Sequence, residues 1–456
     1  RVYEGVREVL RLLELDAENF DTPRWNPFQE FVRPGDTVFI KPNLVLHEVR
    51  ETLGTNCVYT HASVIRPLID YCLLAANNDV RIIVGDVPLQ SADFDAIVAA
   101  NGLRDLVGYF LEERKVDVQL LDLRPFRQRA TEEFFFEETI EQAGDPKGYS
   151  SIDLGERSWL QPLCEEKSPR FAVTDYENGE TSAHHRPGVH EYFICRTALD
   201  ADVFINVPKL KTHEKAGMTG ALKNIVGINA QKSWLPHYRR GSVAFGGDEW
   251  ARPSIRKWAY SRARSVLQGR NRRLWDASRW IWHRMRPSKE LEQSQAAETF
   301  FELGGAWHGN DTVWRMVLDL NSALFFYDRE LGFVDKPRRR YFCLADGIVM
   351  GEGRGPLFPR PNQAGCLIGA WNPVVCDTVG ARVMGFDWEK IPLLRNAYED
   401  TPFALAPVSS PEDIVVATRN GLAPFSELDI DCACAPAPGW RGAIELERRH
   451  EVSHAG

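Results

Sequence analysis

The sequence predicts an α/β protein with a mixed, mostly parallel sheet, two lobes around a crevice, and a helical basic-aromatic insertion. Three runs carry this reading: VFIKPNL at 38–44, IIVGDVP at 82–88 and VFINVPKLKTH at 203–213. Each is a continuous apolar stretch, as a parallel strand buried on both faces requires, and each stops abruptly on charged or polar residues. In open α/β sheets the ligand sits beyond the carboxyl ends of the strands. Lys41, Asn43, Asp86, Asn206, Lys209, Lys211 and His213 are therefore expected to meet at one crevice.

Along the chain, VREVLRLLEL at 6–15 has the apolar spacing of an amphipathic helix that covers a sheet face. Strand 38–44, a loop with Thr60 and His61, helix SVIRPLIDYCLLAA and strand RIIVGD then make a β-α-β unit with a right-handed crossover. A further helix and strand end in VQLLDLR. Residues 125–192, with EEFFFEE, a DPKG turn and HHRPG, lack a clear period and read as an irregular insertion with short strands, or a cap. A second α/β block begins at ICRTALDADVFINV and resumes with YFCLADG, GCLIGAW and a helix opened by Asn372 and Pro373, the expected N-cap and first-turn residues. The division expected is an α/β domain of residues 1–240 and 300–400, the cap within it, a basic Trp-rich helical insertion at 241–299 and a C-terminal extension at 401–456.

Composition narrows the function. The chain is 44% hydrophobic and 26% charged, which is ordinary for a globular protein, and its net charge of -9 argues against nucleic acid as a partner. Nine cysteines without a CxxC pair point to reduced thiols and a cytoplasmic setting. Cys432 and Cys434 do not match zinc or iron–sulfur spacing, so a [4Fe–4S] cluster is not expected. No apolar run is long enough to span a bilayer.

The densest segment is PKLKTHEKAGMTGALKNIVGI at 208–228. In an extended KLK, Lys209 and Lys211 fall on one face, and two neighbouring ammonium groups call for an anion between them. Gly217 and Gly220 allow close backbone approach, Thr219 offers a hydroxyl, and Lys223 and Asn224 follow. Phosphate or carboxylate recognition is the reading, with a solvated surface loop as its ordinary alternative. No Walker loop and no GxGxxG is present. Asp86, Asp346, Glu352 and Asp377 form an acidic set at strand ends and a helix start, suited to a divalent metal, unless they cap helices or pair with lysines. Asp248, Glu249, Asp319 and Asn321 are further candidates. His213 and His237 are candidate acids or bases because histidine titrates near neutrality. His184, His185 and His190 do not read as a metal site, and Cys57 has no evident activating partner.

These segments carry a resemblance. IKPNLV, Thr60-His61, VGDVP, NVPKLKTHEKAGMTGALKNIVG, PHYRRG, GGDE, LDLN at 318–321, ADGIVMGEGRGP and GFDWEKIP together resemble the bacterial and archaeal domain-of-unknown-function 362 family over most of residues 37–400. That family has no general reaction assignment. Many members carry a ferredoxin-like iron–sulfur segment, and the matching cysteines are absent here. The segment KLKTHEKAGMTGALKNIVGI alone also resembles the Lys/His and Gly-rich segment of the nickel-pincer lactate racemase superfamily. That likeness implies contacts of Lys211, His213 and Lys223 with a nucleotide-like cofactor or substrate.

Residues 250–289 hold about a dozen Lys and Arg together with Trp258, Trp275, Trp280 and Trp282. Such a segment can contact a membrane surface or a protein partner, or pack its tryptophans onto the main domain. The leading expectation is an enzyme acting on an anionic small molecule with a divalent metal. Lys41, Asn43, Thr60, His61, Lys209, Thr219, Lys223 and Asn224 would bind ligand or cofactor, and Lys211, His213 and His237 would act in catalysis. The alternatives are a redox-accessory or cofactor-binding protein and a scaffold peripheral to the inner membrane face.

Overall fold

The computed structural model describes residues 1–47, 56–130, 136–165, 170–173, 178–267, 303–400, 402–430 and 432–447. Nine strands form the main sheet. In chain order they are β1 (Thr37–Pro42), β2 (Arg81–Asp86), β3 (Val118–Asp122), β4 (Val203–Val207), β5 (Lys209–His213), β6 (Gly217–Thr219), β7 (Arg340–Arg354), β8 (Phe358–Asn362) and β9 (Cys366–Ala370). Their order is β6-β5-β7-β4-β1-β2-β3, with β8 and β9 also paired to β7. The ladders β5/β7, β7/β4, β4/β1, β1/β2 and β2/β3 are parallel, while β5/β6, β7/β8 and β7/β9 are antiparallel. The mixed, mostly parallel sheet read from the sequence is the sheet observed.

Strand alternation sends side chains into two cores. Val38, Ile40, Ile82, Val84, Val203 and Ile205 pack with Val6 and Leu10 of helix α1 (Val2–Leu12) and with helix α2 (Ala62–Ala75). Phe39, Ile83 and Phe204 pack on the other face with helix α3 (Val313–Phe326) and helix α4 (Pro373–Val383). A sheet covered on both faces explains why its strands read as unbroken apolar runs. Each such side chain, fully buried, contributes roughly 1.5–3 kcal/mol of transfer free energy. Asn372 caps α4 as expected, its side chain accepting from Val374 and Val375 N–H, and Pro373 opens the helix.

One crossing places the site. β4 lies beside Arg340–Cys343 at the start of β7, whereas β5 lies beside Asp346 and Gly351 further along it. Pro208 alone separates β4 from β5, and its carbonyl accepts from Asp346 N at 2.8 Å. Proline has no N–H to leave unsatisfied where the chain steps off one ladder onto another. β5 thus carries Lys211 and His213 past the carboxyl end of β4.

In the segment 125–192, Val189–Cys195 pairs with both Tyr149–Asp153 and His185–Arg186. Asp319 of α3 ties this small sheet to the core, accepting from Tyr192 Oη at 2.8 Å, Ser158 Oγ at 2.5 Å and Trp159 N at 2.8 Å. Of the basic insertion, helix Ile255–Leu267 is described, with Ile255 and Trp258 exposed. Trp275, Trp280 and Trp282 lie outside the described residues. In the C-terminal segment, Trp440 Nε1 donates to the Glu214 carbonyl at 2.7 Å and its ring lies against Gly217. Among the described residues no helix is long and apolar enough to cross a membrane.

Candidate active site

A cavity of about 310 Å³ lies at the carboxyl ends of β1, β2 and β5. Lys41, Asn43, Asp86, Lys211, His213, Thr219, Lys223, Asn224 and His237 line it together. Its base is a buried polar network. Lys41 Nζ lies 2.7 Å from Asp86 Oδ1 and donates to the Pro42 carbonyl at 2.7 Å, while Asp86 Oδ2 accepts from Leu44 N at 2.7 Å. Asn224 Nδ2 donates to Lys41 O at 3.1 Å and to Asn206 Oδ1 at 2.7 Å, and its Oδ1 accepts from Asn43 Nδ2 at 2.9 Å. Asn43 Oδ1 in turn accepts from Lys211 Nζ at 2.8 Å, and Lys211 also donates to Val58 O. Satisfied chains of this kind rigidify a site because any missing partner leaves a buried polar group orphaned. Gly227 packs its backbone so closely on the Lys41–Asp86 pair that a Cβ there would collide with both side chains.

The two histidines are held in opposite tautomers. His213 Nδ1 accepts from Lys215 N at 3.0 Å and Ala216 N at 3.2 Å, so that nitrogen carries no proton. His237 Nδ1 lies 2.8 Å from the Leu235 carbonyl, which only accepts, so that nitrogen carries one. Burial, reinforced by the lysine charges around them, holds both imidazoles well below the ordinary histidine pKa, and both are neutral at pH 7. His213 therefore presents a donor Nε2–H and His237 a basic Nε2, and neither Nε2 has a partner among the described residues.

The lysines respond to the same burial. Lys211 and Lys223 are each brought down to about 7, and Lys232 to about 8, by desolvation. Neighbouring ammonium groups add to it: Lys209 and Lys223 for Lys211, Lys232 and Lys215 for Lys223.

Other expected site residues do not line this cavity. Lys209 pairs with Asp346 at 2.9 Å, both almost fully buried, so the two ammonium groups of KLK do not share an anion. The β5/β7 ladder shifts register between the two lysines, setting Lys209 against Asp346 and Lys211 against Gly351. Thr60 Oγ donates to Val207 O at 2.7 Å and accepts from Asn43 N at 3.0 Å, bracing the strand ends. His61 caps α2 through Nδ1 and Ser63 N at 3.2 Å. Asn206 donates to Ala221 O and Tyr341 Oη, both at 2.8 Å.

The four carboxylates expected to bind metal are dispersed. Asp86 belongs to Lys41, Asp346 to Lys209, and Glu352 accepts from Asn362 Nδ2 at 3.2 Å and Ala435 N at 3.1 Å. Asp377 accepts from Ala221 N at 2.5 Å and Leu222 N at 2.9 Å, capping the short helix Ala221–Asn224, and burial raises its carboxyl to about 7. Among the described residues no three His, Cys, Asp or Glu side chains group as a metal centre. Asp248 and Glu249 also serve loop structure: Asp248 takes Arg239 N and Thr312 Oγ at 2.5 Å, and Glu249 takes Gly241 N at 3.2 Å. Asn321 donates to Leu222 O at 3.0 Å from beneath the same short helix. His184 pairs with Glu191 at 2.8 Å, and His185 and His190 are buried, their pKa values lowered to about 3 and about 4 by desolvation.

Glu214, Lys215, Lys232 and Arg354 also line the cavity, and sequence reasoning did not single them out. Glu214 and Lys215 follow His213 directly, and Arg354 lies within GEGRGP, so position inside a dense motif was the available signal. Lys232 carried none.

The chain belongs to the family described as a domain of unknown function, DUF362, whose model matches residues 38–143 and 140–382. No curated protein matches it. One solved structure it resembles is the crystal structure of a protein from Thermotoga maritima, 12% identical, with a TM-score of 0.33. That match covers 81% of this chain and 55% of the other, so the chain spans about half the length of that protein.

Proposed function

We propose that the cavity is the active site of an enzyme that binds a small organic anion and moves a proton on it. The observation that carries this reading is the pair of neutral histidines with opposite tautomers in one lysine-lined cavity. A donor Nε2–H and a basic Nε2 form a general acid and a general base without any change of protonation on entering the cycle. The surrounding lysines supply a positive field for the anion, and Val45, Val87, Leu89 and Leu235 line the walls. A volume near 310 Å³ is at the lower end of the range for small-molecule sites. Bound negative charge raises the lysine pKa values, so ligand and protons enter together near neutrality.

The test uses substitutions that keep each Nδ1 interaction and delete each Nε2. In His213→Asn the amide oxygen still accepts the Lys215 and Ala216 N–H groups, and in His237→Asn the amide NH₂ still donates to Leu235. Organic carboxylates and phosphate esters that raise the melting temperature are followed in D₂O by proton NMR. Wild-type protein is expected to exchange a C–H of a binder, and each Asn variant to retain binding while losing about 10²-fold or more of the exchange rate. Absence of any binder, or exchange unaffected in both variants, would overturn the reading.

A further inference from the structure

We propose that Lys223 forms an imine with an organic anion carrying an aldehyde or ketone group. The proposal rests on the reading of the cavity as an anion site and names the ligand class that site takes.

Five lysines line the cavity, and four are engaged. Lys41 pairs with Asp86, Lys211 donates to Asn43 and Val58, and Lys232 donates to the Val226 carbonyl at 3.2 Å. Lys215 lies 5.7 Å from the centre of the Tyr238 ring. Lys223 has neither a hydrogen bond nor an ion pair among the described residues, although it is only 9% exposed. An unpaired ammonium is costly in such a place, and the group escapes by giving up its proton. Burial and the neighbouring Lys232 and Lys215 charges favour that loss, bringing Lys223 to about 7. A neutral amine is a nucleophile toward carbonyl carbon, and an ammonium is not. An amine needed only to attract an anion would be better served by a carboxylate partner such as the one Asp86 gives Lys41.

The histidines supply the protons that imine formation moves. Lys223, His213 and His237 line the same cavity of about 310 Å³, which sets all three groups around one ligand. Nζ attacks the carbonyl carbon, a C–N bond forms, and the π pair moves onto oxygen, which takes the proton from His213 Nε2. His237 Nε2 removes a proton from the attached nitrogen. The nitrogen lone pair then forms the C=N bond as the C–O bond breaks, the oxygen leaves as water with a second proton returned by His237, and the remaining N–H proton passes to His213 Nε2, which restores both histidines. Amine and carbonyl compound give imine and water, with no oxidant or reductant.

Glyoxylate with cyanoborohydride is the probe, read by intact mass and peptide mapping at pH 7. The expected result is one reduced adduct on Lys223, forming at least about tenfold faster than on surface lysines, whose amines are almost wholly protonated there. Its rate should saturate with glyoxylate and fall when propionate, an anion without a carbonyl, is added. Lys223→Arg should carry no adduct while keeping the wild-type melting temperature. Labelling spread over many lysines at rates linear in glyoxylate would overturn the proposal, as would an adduct at a different cavity lysine. Should the variant fail to fold, saturation and propionate protection in the wild-type protein still decide. Propionate binding by calorimetry without an adduct sinks the imine and leaves the anion site standing; neither binding nor adduct sinks both.

Discussion

Lys209 and Lys211 stand two residues apart on one strand and illustrate two fates of a buried ammonium. Lys209 meets Asp346 at 2.9 Å in the sheet interior, and the pair is closed to ligands. Lys211 and the nearby Lys223 face a cavity where carboxylates are fewer than ammonium groups, and both are pushed toward neutrality. Charge compensated inside the protein serves architecture, and charge left uncompensated at a cavity is available to a ligand. The contrast also shows that a lysine-rich motif is not a site until its carboxylates are located.

The largest effect expected is at the compensated pair. Asp346→Ala leaves Lys209 buried and alone and should lower stability by about 3–5 kcal/mol in urea denaturation, whereas Lys209→Met with Asp346→Leu should recover most of it. If the double variant is as unstable as the single one, the pair does more than balance charge. At the cavity the opposite pattern is expected. Lys223→Met should leave the melting temperature unchanged or raised, while anion affinity measured by calorimetry drops by about 1.5–3 kcal/mol, the range of a charged hydrogen bond. A large loss of stability would erase the distinction between the two regions.

Asp377→Asn tests the support beneath the site. It replaces a carboxylate that takes two backbone N–H groups with an amide whose oxygen can serve one well, and about 1–2 kcal/mol of stability should go with it. A weaker ligand response is expected alongside, because the helix it caps carries Lys223.

A further expectation is a slope with pH. Asp319 and Asp377, raised to about 7 by burial, hold protons in the folded chain that the unfolded chain has released, so their contribution to stability falls as pH rises from the ordinary carboxyl range to about 7. Lys211 and Lys223, lowered to about 7, act in the other direction. Between about 7 and their unfolded value the unfolded chain binds the extra proton, so their contribution rises with pH. Denaturation across pH 7–10 should show a positive slope that shrinks in Lys223→Met; an unchanged slope would place the titration elsewhere.

The sequence made the strand ends legible because a buried parallel strand cannot hide where its apolar run stops. Lys41, Asn43, Asp86, Lys211 and His213 were found that way, and Thr219, Lys223 and Asn224 through the motif that follows. What pairs with what was not legible. Asp346 reaches Lys209 across 137 residues, and Asp377 reaches Leu222 across 155. Lys209 and Lys211 take different partners, the Asp346 carboxylate 137 residues away and the Asn43 amide 168 residues away, which no local pattern announces. Lys232 stayed hidden because its segment is 3₁₀ turn and loop, with no period to say which way a side chain points.

Trp440 gives the molecule an order of assembly. Its indole holds the carbonyl of Glu214 from 226 residues further along the chain, and its ring supports the turn at Gly217. During synthesis on the ribosome the nine strands of the main sheet emerge well before this tryptophan does. A nascent chain can therefore pair its sheet while the His213 turn is still without its brace, and that turn is secured only once Trp440 has emerged.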